Sequence, residues 1–291
     1  MELPLVVGVD GSGPSLTAVD WAVDEAARHG LPLRLVYASR WERYEGALPA
    51  AGAERPSDRV MAQNVVGAAT ERAQRRNPDV KVSANILPED PVAALLGADD
   101  SACALVTGSR GRGELKGLLL GSVSLAVAAR AHCPVVVVRG DIAGLSGTHG
   151  RILLGAGAPA AGGEAVRFAF REAELRGCVL DVVRAWRRPL HEAGGSPPAQ
   201  EETGHRDEEG AAALLDDLLR EAMTDHPAVR VRGATVEGPA HRVLVARAAA
   251  ADLVVVGARR TAAHFGLQLG RTAHALLHHA PCPVAVVPHR V

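Results

Sequence analysis

Along the chain, short aliphatic runs alternate with longer stretches in which apolar residues recur every three or four positions. The runs fall at residues 5–9, 33–38, 80–87, 104–107 and 135–138, and again at 152–156, 179–185, 229–236, 253–256 and 284–287. Several are apolar on consecutive positions, which predicts strands covered on both faces, as in parallel sheets. The periodic stretches predict helices over 15–29, 57–76, 91–101 and 121–131 in the first half, with counterparts in the second. The expected fold class is α/β, as two tandem doubly wound units of five parallel strands. Ligands of such open sheets bind beyond the carboxyl ends of the strands, where strand order reverses, so any chemistry is expected there.

The two halves are copies of one pattern. "AHCPVVVVR" at 131–139 returns as "APCPVAVVP" at 280–288, and "LVVGVDGS" from Leu5 returns as "ILLGAGAP" from Ile152. Gly108 maps on Gly257, Gly121 on Gly270 and Pro91 on Pro239, at offsets of 147 to 149 residues throughout. The domains expected are 1–140 and 150–291. Between them, 141–149 belongs to a run with four glycines and no apolar period, as in an exposed linker.

Charge and composition narrow the partners. The 291 residues carry 32 Lys plus Arg against 33 Asp plus Glu, a balance that argues against nucleic acid as a partner. Aromatic residues are 3% of the chain, with Trp21, Trp41 and Trp186 the only tryptophans, so platforms for stacking bases are few. No uncharged apolar window is long enough to span a membrane, and Met1-Glu2-Leu3-Pro4 lacks a basic leader, so the expectation is a soluble cytoplasmic chain without a membrane partner. Cys103, Cys133, Cys178 and Cys282 include no CxxC pair and read as reduced core thiols.

The chemistry-bearing stretch follows the fourth strand. In "TGSRGRGELKGLLLGSVS", Gly108, Gly111, Gly121 and Ser122 form G-x2-G-x9-G-S. Gly108 and Gly111 allow positive φ or close approach of a ligand, and Gly121 leads into a helix whose first amides attract an anion such as a nucleotide phosphate. Ser122 adds a hydroxyl and Ser124 offers another. At the end of the first strand, Asp10 could accept hydrogen bonds from a ribose or base across the cleft. Alternatively, Asp10 and Ser12 only cap the next helix, and the glycine loop is an ordinary strand-to-helix turn.

On these residues, with "LRLVYA" at the second strand and "HCPVVVV" at the close, the chain resembles a tandem universal stress protein over nearly its whole length. The resemblance implies an adenine nucleotide alpha-hydrolase-like fold and an ATP or AMP site in the first half, with Mg as a candidate companion of the phosphates. Carried over by position, Val9 and Asp10 end the first strand on the adenosine side and Ala38 lies beside the base. Thr107, Gly108 and Gly111 flank ribose and phosphates, while Gly121, Ser122, Val123 and Ser124 cradle the phosphates. The second half departs from the pattern: Gly157 replaces Asp10, and the loop reads G-x2-R-x9-G-R through Arg260 and Arg271. Those arginines either fill the cleft or bind a different anion. The degenerate site is expected to be weak or unoccupied.

Other signals carry less. His274, His278 and Cys282 have ligand-like spacing but read as a helix end followed by a core strand, so no metal site is expected. Arg110, Arg112 and Lys116 lie within the loop and are assigned no role. Segments 41–58 and 187–209 read as mobile loops, one of them a candidate lid. Neither G-x4-G-K-[ST] nor SGGxDS occurs, so no catalytic residue is assigned. The expected function is a stress-response regulator switched by nucleotide in the first domain. The alternatives are a slow ATPase, an autophosphorylating enzyme using Ser122 or Ser124, and a nucleotide-free interaction scaffold with an unknown regulatory partner. Pairing through the last strands implies an internal pseudo-dimer and allows a homodimer.

Overall fold

The computed structural model describes residues 2–38, 58–111, 120–157, 159–187, 197–258 and 269–289. The chain folds as two compact units, Met1–Val138 and Arg139–Val291.

The N-terminal unit is built from β1 (Leu5–Gly8), α1 (Gly13–His29), β2 (Leu33–Ala38), α2 (Asp58–Arg76), β3 (Val82–Leu87), α3 (Pro91–Leu96), β4 (Ala104–Gly108), α4 (Ser122–Arg130) and β5 (Val135–Val138). Its strands are all parallel in the order β3-β2-β1-β4-β5. Every residue of β4 and β5 is buried, which accounts for their unbroken apolar runs, whereas β3 is largely exposed and reads as a mixed sequence. α1 begins where Ser12 accepts from the Ser15 amide at 3.3 Å and ends at Gly30 in the left-handed region. Its buried face is mostly alanine and valine with Trp21, small enough to lie close on the sheet. Paired guanidinium–carboxylate forks from Arg72 to Asp20 and from Arg76 to Asp24 clamp α2 to its outer side.

The C-terminal unit repeats the plan with α5 (Ile142–Ser146), β6 (Arg151–Gly155), α6 (Pro159–Arg176), β7 (Val179–Trp186), α7 (Pro197–Asp225), β8 (Arg230–Glu237), α8 (Ala240–Arg247), β9 (Leu253–Ala258), α9 (Arg271–His279) and β10 (Val284–Pro288). Its parallel order is β8-β7-β6-β9-β10. In both units strand order reverses between the first and fourth strands, so the carboxyl ends of β1 and β4, and of β6 and β9, flank the switch point.

Three expectations are corrected. The helix expected over 91–101 stops at Leu96 and resumes as a single 3-10 turn at Asp99–Ser101, because Gly97 and the Asp99-Asp100 pair are poor helix residues. Segment 187–209 is not a loop throughout, since 197–209 form the first turns of α7, where Pro at the start and the Ala, Gln and Glu that follow suit a helix. Segment 41–58, apart from Asp58, lies outside the described residues. The glycine-rich run expected as an exposed linker faces solvent over much of its length yet carries α5, capped by Asp141 and closed by Gly147. The Asp141 amide donates to Pro281 O at 3.0 Å, and a Cβ at Gly140 would stand 2.2 Å from that oxygen. Gly140 therefore provides close approach within the unit.

Candidate functional site

At the carboxyl end of β1 the ladder continues one residue beyond the strand, where the Val9 amide donates to Val36 O at 2.9 Å. The chain then turns through Gly11 at φ 79°. Asp10 Oδ1 accepts from the Ser12 amide at 2.9 Å and from Ser12 Oγ at 2.6 Å. Capping and site-building are thus one network: Ser12 caps α1 and at the same time fixes the Asp10 carboxylate.

The β4 loop closes against this turn. Gly121 donates its amide to Ser109 O at 2.8 Å and is the N-cap of α4, with no side chain among the described residues capping that end. The N–H groups of Ser122, Val123 and Ser124 precede the first intrahelical bond, from the Leu125 amide to Gly121 O, and form a positive helix terminus. Ser124 contributes its amide only. Its hydroxyl, buried, donates to Gly108 O at 2.7 Å and ties the first turn of α4 to the end of β4, so the expected second phosphate hydroxyl is already used.

The glycines meet different demands, and neither Gly108 nor Gly111 has positive φ. A Cβ at Gly108 would lie 2.6 Å from the Pro14 backbone, so this glycine lets β4 meet the start of α1. A Cβ at Gly111 would lie 2.5 Å from Asp10 Oδ2, so Gly111 makes room for the carboxylate. At Gly121 the nearest atom would be Arg110 Cα at 3.5 Å, ordinary contact.

These elements enclose a cleft of about 340 Å³ lined by all ten residues singled out in the sequence: Val9, Asp10, Ala38, Thr107, Gly108, Gly111, Gly121, Ser122, Val123 and Ser124. Motif reasoning missed Val36, Pro91, Leu95 and Leu120, which give it an apolar wall, and left Arg110 without a role. Pro91 and Leu95 are four apart on α3, a helical spacing that puts both on one face and could have flagged them. Thr107 is only 3% exposed, and among the described residues its Oγ1 has no hydrogen-bond partner. A buried hydroxyl left unpaired is destabilising, and a polar atom seated in the cleft would relieve it.

In the C-terminal unit, Gly157 stands where Asp10 stands. Its carbonyl accepts from Arg184 Nη1 at 2.7 Å, and a Cβ there would meet nothing within 4 Å. Gly270 is again an N-cap without a side-chain cap, followed by the exposed Arg271. Arg260, Arg112 and Lys116 lie outside the described residues.

The histidine-cysteine signal resolves into packing. His274 and His278 stack with ring centroids 4.4 Å apart, and burial together with His274, His279 and Arg139 holds His278 below its ordinary value. Burial pushes the Cys282 thiol up to about 12, as it does Cys133 in the other unit, so both are protonated core groups. Cys103 departs from the core expectation, being partly exposed. No described helix is long and apolar enough to cross a membrane.

Fold and cleft together define a tandem protein of two doubly wound parallel α/β units, with the G-x2-G-x9-G-S loop in the first only. The universal stress protein family model matches it twice, over residues 3–139 and 148–288, and the chain belongs to that family. It is 31% identical to universal stress protein Rv2005c of Mycobacterium tuberculosis over 303 residues, covering 97% of this chain and 96% of the relative. A universal stress protein of Mycolicibacterium smegmatis is also 31% identical, over 99% and 98% of the two chains. Among solved structures, a universal stress protein from Archaeoglobus fulgidus superposes with a TM-score of 0.68 at 17% identity, covering 99% of this chain and 98% of that one, which supports the fold.

Proposed function

We propose that the N-terminal unit binds an adenine nucleotide, ATP or AMP, in the cleft between β1, β4 and α4, and that occupancy switches the protein's regulatory state in the stress response. The observation that carries this reading is the convergence, in one cleft, of the uncapped α4 terminus, the unpaired Thr107 hydroxyl and the fixed Asp10 carboxylate, beside an apolar wall suited to a base. Phosphate belongs at Ser122, Val123 and Ser124, and ribose or base at Asp10, Val9 and Ala38. The C-terminal unit lacks the carboxylate and carries Arg260 and Arg271 at the loop positions that are glycine and serine in the first, so it is assigned no nucleotide. The test is calorimetry of ATP and AMP on the full chain, on Gly121→Arg, which crowds the start of α4, and on Asp10→Gly, which gives the first unit a feature of the second. Binding to the parent, abolished by the first substitution and weakened about tenfold by the second, is expected. Equal affinity in all three proteins contradicts the assignment.

A further inference from the structure

The cleft has one cation among its described lining residues. Asp10 and Arg110 are the charged side chains there, and Arg110 is exposed at the rim. Its backbone is held on both sides: Ser12 Oγ lies 3.4 Å from Arg110 O, and Arg110 Cα packs 3.5 Å from where a Gly121 side chain would begin. The guanidinium therefore springs from a fixed point beside the N-terminus of α4. Ser12 Oγ, whose proton goes to Asp10 Oδ1, approaches only the carbonyl oxygen of Arg110, and among the described residues no hydrogen bond or ion pair occupies its side chain.

A count of donors shows what this cation would add. α4 presents the amides of Ser122, Val123 and Ser124, and the exposed Ser122 supplies a hydroxyl, while the hydroxyl of Ser124 is committed to Gly108 O. Such a set can saturate the oxygens of one phosphoryl group. A di- or triphosphate tail carries further oxygens and further negative charge, and the helix terminus weakens within its first turn. A planar, permanently charged fork at the rim matches phosphate geometry better than any other lining group.

We infer that Arg110 is a specificity-determining residue that binds the phosphates beyond the first, and so makes the N-terminal cleft select nucleoside di- and triphosphates over monophosphates. This rests on the nucleotide reading of the same cleft.

The experiment is calorimetry of adenosine, AMP, ADP and ATP on the full-length chain and its Arg110→Gln and Arg110→Lys variants, at low and moderate salt. Arg110 is exposed, so circular dichroism of the variants should match the parent. The expected result is a loss of about tenfold in ATP affinity for Arg110→Gln, a change below about twofold for adenosine and AMP, partial recovery with lysine, and a steeper salt dependence for ATP in the parent. An unchanged ATP-to-AMP ratio in Arg110→Gln, or equal losses for all four ligands, overturns the inference and leaves the cleft assignment standing. Absence of binding to the parent by any of the four overturns both.

Discussion

Gly108 and Gly111 belong to the same motif but are separable by experiment. A methyl at Gly108 meets main chain that cannot yield, the Pro14 carbonyl at 2.6 Å, so Gly108→Ala should lower the stability of the N-terminal unit by about 2 kcal/mol in denaturant titration. A methyl at Gly111 meets the end of a side chain, Asp10 Oδ2 at 2.5 Å, which can yield only by straining its hydrogen bonds to Ser12. Gly111→Ala should therefore lower the unfolding midpoint less than Gly108→Ala does while weakening nucleotide binding several-fold, and the reverse pattern would show the two roles to be misassigned. The same contact makes sense of a paired departure in the second half, where Gly157 replaces the carboxylate and Arg260 replaces the glycine that accommodates it. Cysteine reactivity is also set residue by residue. With Cys133 and Cys282 pushed to about 12 and Cys178 raised by burial, alkylation of the native chain near pH 8 should label the partly exposed Cys103 first. Labelling of the other three at a similar rate would contradict the packing described.

At the level of elements, α9 places three histidines in a row of turns, and their environment decides their charge. A helix C-terminus favours imidazolium, yet burial comes first among the causes that lower His278, followed by its neighbours His274 and His279 and then Arg139. The unfolded chain takes up that proton more readily than the folded one, so stability from the neutral ring is present above 6.5 and is lost as pH falls below it. Thermal unfolding should show a lower midpoint at pH 5 than at pH 7, with a shallower difference in His278→Gln; an equal difference would remove His278 from the account. The clamp between α1 and α2 is worth less than its geometry suggests. Arg72 is 43% exposed at its side chain, so Arg72→Ala should cost only about 0.5 kcal/mol by denaturant titration. Elements were also where the sequence was most and least legible. The buried runs of β4 and β5 could be read directly, because strands covered on both faces have no polar alternation to confuse them. α3 was read too long because Gly97 interrupts a stretch whose apolar pattern continues, and the start of α7 was read as loop because its charged residues carry no apolar stripe.

For the whole molecule, duplication was plain in the repeated landmarks, and it is what exposes the asymmetry between the units. The ten residues found from motif and resemblance line one cleft because the carboxyl ends of β1 and β4 are adjacent at the switch point, a consequence of topology that any doubly wound sheet shares. What the sequence could not reveal were contacts formed only in three dimensions: the Ser124 hydroxyl turned to Gly108 O, the unpaired Thr107 hydroxyl, and Gly140 pressed on Pro281. Of these, the Ser124 contact alters a role that the motif alone assigned, because its hydroxyl is no longer free for phosphate. The central claim is that the first unit holds an adenine nucleotide and the second does not. It is tested most directly by a crystal structure of the full chain grown with ATP. The account predicts density in the N-terminal cleft alone, with phosphate against the amides of Ser122 to Ser124. Density confined to the C-terminal unit, or to neither unit, would contradict it.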